Sequence, residues 1–370
     1  MSEAAVLPVT RRPGRMAVRP AGDRSARGRL AIAAALVALV LAAALSLAVG
    51  ATGVSLGALP RVLGLVGVDG VDAATLARER LILLDIRLPR VALAILVGGG
   101  LAVSGAVMQG LFRNPLADPG IIGVSSGAAL AAVTVIALGG GVLAPFVAPL
   151  GRAAVPLAAF VGGLAATAFL YRLGTRSGAT SIATLLLAGI AVDAGARALT
   201  GLVIFSADDQ ALRDLTFWTL GSLGGASWAK IAAAAPFVLF AAVVLPFVAR
   251  ALNALLLGEA EAHHLGVPVE TAKRLSMLAV AAAVSAAVAV AGVIGFVGIV
   301  VPHLVRLVTG PDHRFLLPAA ALLGAALTLV ADAVARVVVA PAELPIGIVT
   351  AAIGAPFFLW LLLRRRAGAG

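Results

Sequence analysis

Ten long apolar runs, separated by connections that hold most of the polar residues, organise this chain: residues 30–50, 91–111, 121–139, 153–171, 182–205, 229–249, 275–293, 295–308, 315–339 and 346–363. An α-helix rises about 1.5 Å per residue and satisfies its backbone polar groups internally, so about 20 apolar residues carry it across ~30 Å of hydrocarbon. The pattern therefore predicts ten membrane-spanning helices. The eighth run is too short to cross as a regular, lipid-exposed helix. It must be shielded or interrupted, because irregular backbone persists at membrane depth only under cover of protein or a water-filled cavity. Small residues recur along the runs, as in Gly98, Gly99, Gly100, Ala102, Gly105, Ala106 and Gly110 of the second. In lipid these positions let helix backbones approach closely, and packing replaces the missing hydrophobic drive. Gly162, Gly163, Gly195, Gly324 and Gly354 read the same way, as packing positions without a chemical role.

Composition excludes the alternative of two soluble domains in 370 residues: 61% of the residues are hydrophobic and 12% charged, against about 25% charged in globular chains. Seven arginines, from Arg11 to Arg29, precede the first run. That run exceeds the roughly 7–15 apolar residues of a cleavable signal, so it reads as an uncleaved first span. Residues 1–29 are expected to be a disordered, Arg-rich cytoplasmic tail, and residues 30–366 one all-α integral membrane domain. With ten spans, a cytoplasmic amino terminus returns the carboxyl terminus to the same side. Arg364, Arg365 and Arg366 then join the first cluster there, with Arg113, Arg172, Arg176, Arg250, Lys273, Arg274, Arg306 and Arg314 in the inner connections. This is the distribution of the positive-inside rule, and it points to a multi-pass protein of a bacterial cytoplasmic membrane with both termini inside. The net charge of +11 is thus explained by topology, not by nucleic acid. One outer segment breaks the bias, holding Arg61, Arg78, Arg80, Arg87 and Arg90.

Catalytic chemistry finds little support. The absence of cysteine excludes disulfides, thiolate metal sites and cysteine nucleophiles. Residues 123–127 match G-x-S-x-G, but that elbow needs a preceding strand and a base and acid elsewhere; after Pro119 and Gly120 the stretch reads as a helix start. His263 and His264 are adjacent and so point to different helix faces, and His303 lies in an apolar run, so no metal site is assigned. No G-x-x-x-x-G-K-[ST] phosphate loop is present, so the chain does not energise itself with ATP. The acids within spans, Asp193 and Asp332, each precede an arginine by four residues, Arg197 and Arg336, and such pairs neutralise each other. That leaves a channel or a pore driven by a partner. A self-contained ion-coupled secondary transporter and an intramembrane hydrolase acting through Ser125 are the readings from other classes.

Several long motifs carry a resemblance. They are the stretch from Leu88-Pro89-Arg90 into residues 104–110, then Arg113-Asn114-Pro115-Leu116-Ala117-Asp118-Pro119-Gly120, residues 258–267, residues 295–303, and residues 343–347 with 354–358. In order along the chain, from about residue 30 to 366, these resemble the permeases of type II ABC importers for haem, ferric siderophores and cobalamin, the FecCD family. The resemblance implies a homodimer of ten-helix subunits in membrane lipid, with a central pathway, two cytoplasmic ATPases that bind ATP and Mg, and an external substrate-binding protein. No cofactor of the chain's own is expected.

The resemblance also implies residue roles. Arg87, Arg90 and Arg336 match positions that receive acidic groups of the binding protein, a chemistry suited to the planar, permanently charged guanidinium. Residues 257–268 match the coupling helix that fits a groove on the ATPase. Glu259 and Glu261 would meet the partner, Ala262 and His264 belong to the helix, and Leu265 and Gly266 shape the turn out of it. Asn114 and Leu116 match the cytoplasmic gate, beside prolines that end the second span. A second gating stretch is expected near residues 180–184, without individual roles. Residues 123–130 and 217–225 look most like haem permeases, with ferric-siderophore and then cobalamin permeases behind.

Overall fold

The computed structural model describes residues 24–50, 54–66 and 71–367. Its helices are α1 (Ser25–Ala48), α2 (Leu59–Val62), α3 (Ala73–Arg80), α4 (Leu88–Leu111), α5 (Val124–Leu138), α6 (Ala144–Val147), α7 (Ala154–Gly174), α8 (Ile182–Phe205), α9 (Asp209–Thr219), α10 (Trp228–Leu255), α11 (Glu259–His264), α12 (Val269–Ala291), α13 (Val297–Thr309), α14 (His313–Val337) and α15 (Ile346–Ala367). A π-helical segment, Leu81–Arg87, leads into α4, and a two-stranded hairpin, β1 (Thr175–Arg176) and β2 (Ala179–Thr180), joins α7 to α8. The ten expected spans correspond to α1, α4, α5, α7, α8, α10, α12, α13, α14 and α15. Among the described residues, seven helices are long and apolar enough to cross a membrane, and α5, α13 and α15 are shorter apolar ones.

Most of the expected amino-terminal tail lies outside the described residues. Its last part does not: α1 begins at Ser25, so residues 25–29 are helical and not disordered. Packing explains the early start, since Gly28 lies directly against the ring of Phe315 at the head of α14.

Helix α4 forms the centre, packed against α10, α12, α13 and α14. Glycines set those crossings. A methyl group added at Gly105 would drive into the Gly298 carbonyl of α13, and one at Gly98 into Thr328 and the Gly324 carbonyl of α14. Gly127 and Gly162 make the same contact between α5 and α7. Gly195 behaves otherwise: nothing lies within 4 Å of its would-be Cβ, so it fronts open space, a cavity it lines with residues of α5 and α7. Helix α12 is buried almost throughout by alanine and valine, and α8 is its opposite, with Leu187, Ile190, Leu199 and Leu202 exposed.

The short eighth run is interrupted. Gly292 (φ 71°) ends α12, and Phe296 (φ 67°) precedes α13, whose 13 residues span only about 20 Å. The irregular backbone is covered by two other breaks. Ser222 N–H donates to Ala291 O (2.8 Å), Ile346 N–H to Gly221 O (3.1 Å) and Gly347 N–H to Leu220 O (3.0 Å). Three loops thus supply each other with the partners that lipid cannot.

Candidate functional site

The two ends of the bundle are built differently. At the α3 end, where α4 begins and α14 finishes, arginine and carboxylate side chains form a buried network. Arg90 Nε and Nη2 donate to Asp332 (2.9–3.1 Å), and Nη1 and Nη2 donate to the two oxygens of Glu343 (both 2.9 Å). Arg336 pairs with the same Asp332 (3.1 Å) and donates to Val49 O (2.7 Å) and to Ser46 O (3.1 Å) and Oγ (2.9 Å). Arg87 donates to the carbonyls of Leu47 and Val54. A buried charge is tolerated only when paired and hydrogen-bonded, and the Asp332 side chain, 1% exposed, meets that condition through two arginines. The Asp332–Arg336 pairing read from the sequence is present, and Arg90, 242 residues away, completes it.

All three arginines expected at a docking surface therefore lie at one end, turned inward. The Glu343 side chain is 44% exposed. Among the outer cations, Arg61 pairs with Glu79 at 2.9 Å, while Arg78 and Arg80 lie exposed on α3.

Two cavities collect the motifs that carried the substrate resemblance. One, of about 920 Å³, lies where α9 and the start of α10 face α7; Phe217, Trp218, Ser222, Gly225, Arg152 and Lys230 are among its lining. The other, of about 350 Å³, is lined by Asp118, Ser125, Ser126, Asp193, Arg197 and Gly295 among others. Its ion pair, Arg197 Nε to Asp193 Oδ2 at 2.7 Å, joins side chains 78% and 40% exposed on a membrane helix. The i, i+4 spacing alone implies an internally neutralised, structural pair. The pairing is present, but its exposure beside a cavity is what the sequence did not reveal. Ser125 and Ser126 lie in the first turn of α5, with Ser126 Oγ donating to Gly123 O (3.3 Å). Burial pushes the Asp118 carboxyl up from its ordinary value, against the bond it accepts from Gly120 N–H (2.7 Å).

At the opposite, α11 end, α4 stops at Leu111 as the proline pair predicts. Arg113 turns the chain through φ 50°, an uncommon conformation for a side chain-bearing residue. Asn114 Oδ1 then accepts Leu116 N–H at 3.0 Å, fixing a tight turn at the mouth of the helix. The expected coupling segment is helical over Glu259–His264. Ala262 is fully buried and its N–H donates to Gly258 O (3.0 Å). Leu265 caps the helix and is exposed, and Gly266, at φ 75°, makes the exit turn in the left-handed region that favours glycine. Glu261 and His264 are exposed, whereas Glu259 reaches inward to Lys273 Nζ (2.8 Å). Lys273 was counted among inner cations by its sequence position, yet its side chain is 2% exposed and also bonds Glu270 (2.9 Å) and Thr180 O (2.8 Å). Thr180, in the expected second gating stretch, is buried, and Ser181 caps α8.

Comparison with known proteins places this arrangement. The model of the FecCD transport family matches residues 32–364. The hemin transport system permease protein HmuU of Yersinia pestis is 47% identical over 285 residues, covering 76% of this chain and 83% of that protein. The cobalamin import system permease protein BtuC of Halobacterium salinarum is 46% identical, with 77% and 74% covered. A solved metal-chelate type ABC transporter in an inward-facing conformation superposes with a TM-score of 0.76 at 32% identity, covering 90% of this chain and 98% of that one. Motifs, ten apolar helices and a family match over nearly the whole length agree: the chain belongs to the FecCD transport family.

Proposed function

We propose that this chain is the membrane-spanning permease subunit of an ATP-driven importer for haem or related iron complexes, delivered by an external substrate-binding protein. Two copies enclose the pathway, and two cytoplasmic ATPases bind ATP and Mg and drive it. Both termini lie in the cytoplasm and the protein sits in the inner membrane. One observation carries the reading: the Asp193–Arg197 pair is exposed on a membrane helix and lines a cavity. Charge in contact with hydrocarbon is expensive, so such residues face a bundle interior or water. A water-filled pathway covered by a second copy meets that requirement.

The α11 end supports an ATPase contact through exposed Glu261, His264 and Leu265, with Asn114 and Leu116 at the neighbouring gate. The α3 end supports docking of the binding protein. There Arg87, Arg90 and Arg336 hold the platform from within, and Arg78, Arg80 and Glu343 offer the exposed charge. Direct pairing of the three inner arginines with the partner requires their present bonds to open.

Haem is supported by the HmuU likeness and by the largely apolar cavity in which Phe217 and Trp218 stand with Arg152, Lys230 and Asp214, since apolar walls with a few polar anchors suit a flat amphipathic ligand. Cobalamin is the second reading, supported by the similar identity to BtuC; a ferric siderophore is a third. Deleting the gene is expected to impair growth on haem as sole iron source and to spare growth on ferric siderophores. The purified binding protein is expected to bind haem. Binding of cobalamin or a ferric siderophore with no affinity for haem would overturn the substrate and leave the importer standing.

A further inference from the structure

Lys273 stands where three segments of the α11 end meet. An ammonium group has three protons to donate, and here each goes to a different element: Glu259 Oε2 of α11 at 2.8 Å, Glu270 Oε1 of α12 at 2.9 Å, and Thr180 O of β2 at 2.8 Å. Glu270 completes the clamp by accepting Thr180 N–H through its other oxygen (3.0 Å). Both backbone groups of Thr180 are thus held from the first two turns of α12. Thr180 precedes Ser181, the cap of α8, and α8 carries the exposed pair beside the cavity.

The α11 face opposite this clamp is open. Glu261, His264 and Leu265 are exposed, while Glu259 is tied inward to a lysine whose side chain is 2% exposed. A partner pushing on the open face therefore acts on the hairpin and on α8 through Glu259 and Lys273. A lysine placed only to anchor α12 would need neither a partner on α11 nor a backbone carbonyl 93 residues away.

We propose that Lys273 is a positioning residue that transmits displacement of α11 to the start of α8, and so couples events at the ATPase contact to the pathway. This rests on the importer reading above. The bonds are charge-assisted and converge on a buried ammonium group, the kind that hold geometry most firmly, so the three elements move as one body while they persist.

The test uses the full complex of permease, ATPase and binding protein in liposomes, with radiolabelled haem and cobalamin both offered as probes. In assembled Lys273→Met complexes, substrate taken up per ATP hydrolysed is expected to fall about tenfold or more, the range of a coupling energy between sites. Lys273→Arg restores part of it, and Arg274→Ala, at an exposed neighbour, keeps the wild-type ratio. Glu259→Gln is expected to lower the ratio as well, and the double variant to be no worse than Lys273→Met, because both break one path. Since the chain has no cysteine, spin labels at Ala260→Cys and Arg176→Cys report the α11-to-hairpin distance directly. That distance is expected to stay fixed through the ATP cycle in the parent and to vary in Lys273→Met. If the lysine variant fails to assemble, Glu259→Gln and the label pair decide alone. An unchanged uptake-to-hydrolysis ratio in an assembled variant, or labels that move independently in the parent, would overturn the proposal. Failure of the parent complex to couple ATP hydrolysis to uptake of either probe would instead count against the importer reading.

Discussion

Asp332 accepts from two arginines in a space that water does not reach, and Asp193 meets one arginine at the surface of its helix, although both acids stand four residues before their partners. Identical spacing therefore has different energetic weight. Removing one member of a buried pair leaves the others uncompensated, so Asp332→Asn is expected to cost about 3–5 kcal/mol. Asp193→Asn is expected to cost about 0–1 kcal/mol. Thermal unfolding of both variants in detergent measures the contrast. Asp312 makes a related case at the head of α14. Burial opposes its charge, but bonds from Arg314 and from Asn253 (2.7 Å) prevail and carry the carboxyl from 3.8 down to about 2. A group lowered in this way stabilises the fold above its unfolded value, and that stability is lost as pH falls through about 2. The margin of the parent over Asp312→Asn is expected to be full at pH 7 and to shrink as pH is lowered through about 4 towards 2, read from the two unfolding temperatures.

At the scale of elements, glycine contacts between α4 and its neighbours are the points where the bundle is least able to yield. Gly105→Leu would force α4 and α13 apart at a backbone-to-backbone contact, and overpacking of this kind costs about 1–3 kcal/mol. Gly195→Leu, with open space before it, is expected to change monomer stability by less than about 0.5 kcal/mol. Melting curves of the two variants separate packing glycines from the rest, which composition alone does not do. The membrane helices themselves were legible because lipid demands long apolar runs, and even the interruption before α13 followed from its length. The exit turn at Gly266 and the stop after Leu111 were legible from local chemistry. What the sequence withheld were partnerships over distance. Arg90 with Asp332 and Glu343, and Lys273 with Thr180, bridge elements far apart in the chain, and no spacing rule encodes which helices will be neighbours. The inward turn of Arg87 and Arg90 belongs to the same class, since charge in an outer connection says nothing of whether carbonyls or an acid from another element already claim it.

For the molecule as a whole, α8 decides the architecture. Among the described residues no element of one copy covers its exposed apolar and charged side chains, and in the importer proposed above a pathway shared by two copies would cover them. Cysteine substitution tests this directly in a chain that has none of its own. A thiol at Arg197→Cys is expected to react with a membrane-impermeant maleimide in intact complexes, and one at Val243→Cys, exposed on α10, to remain unlabelled in lipid. Equal protection of both sites would place α8 against hydrocarbon. The three interlocked loops around residues 220–222, 291–296 and 345–347 have a further consequence, for how the protein is made. Synthesis delivers the first of them well before the last, and Leu220 and Gly221 receive their backbone donors only from the start of α15. Until that final helix arrives, the connection between α9 and α10 holds two carbonyl groups that lack these donors. The nascent chain must keep them near water or a chaperone, and a ribosome that stops short of residue 346 leaves behind a product whose defect lies far upstream of the missing end.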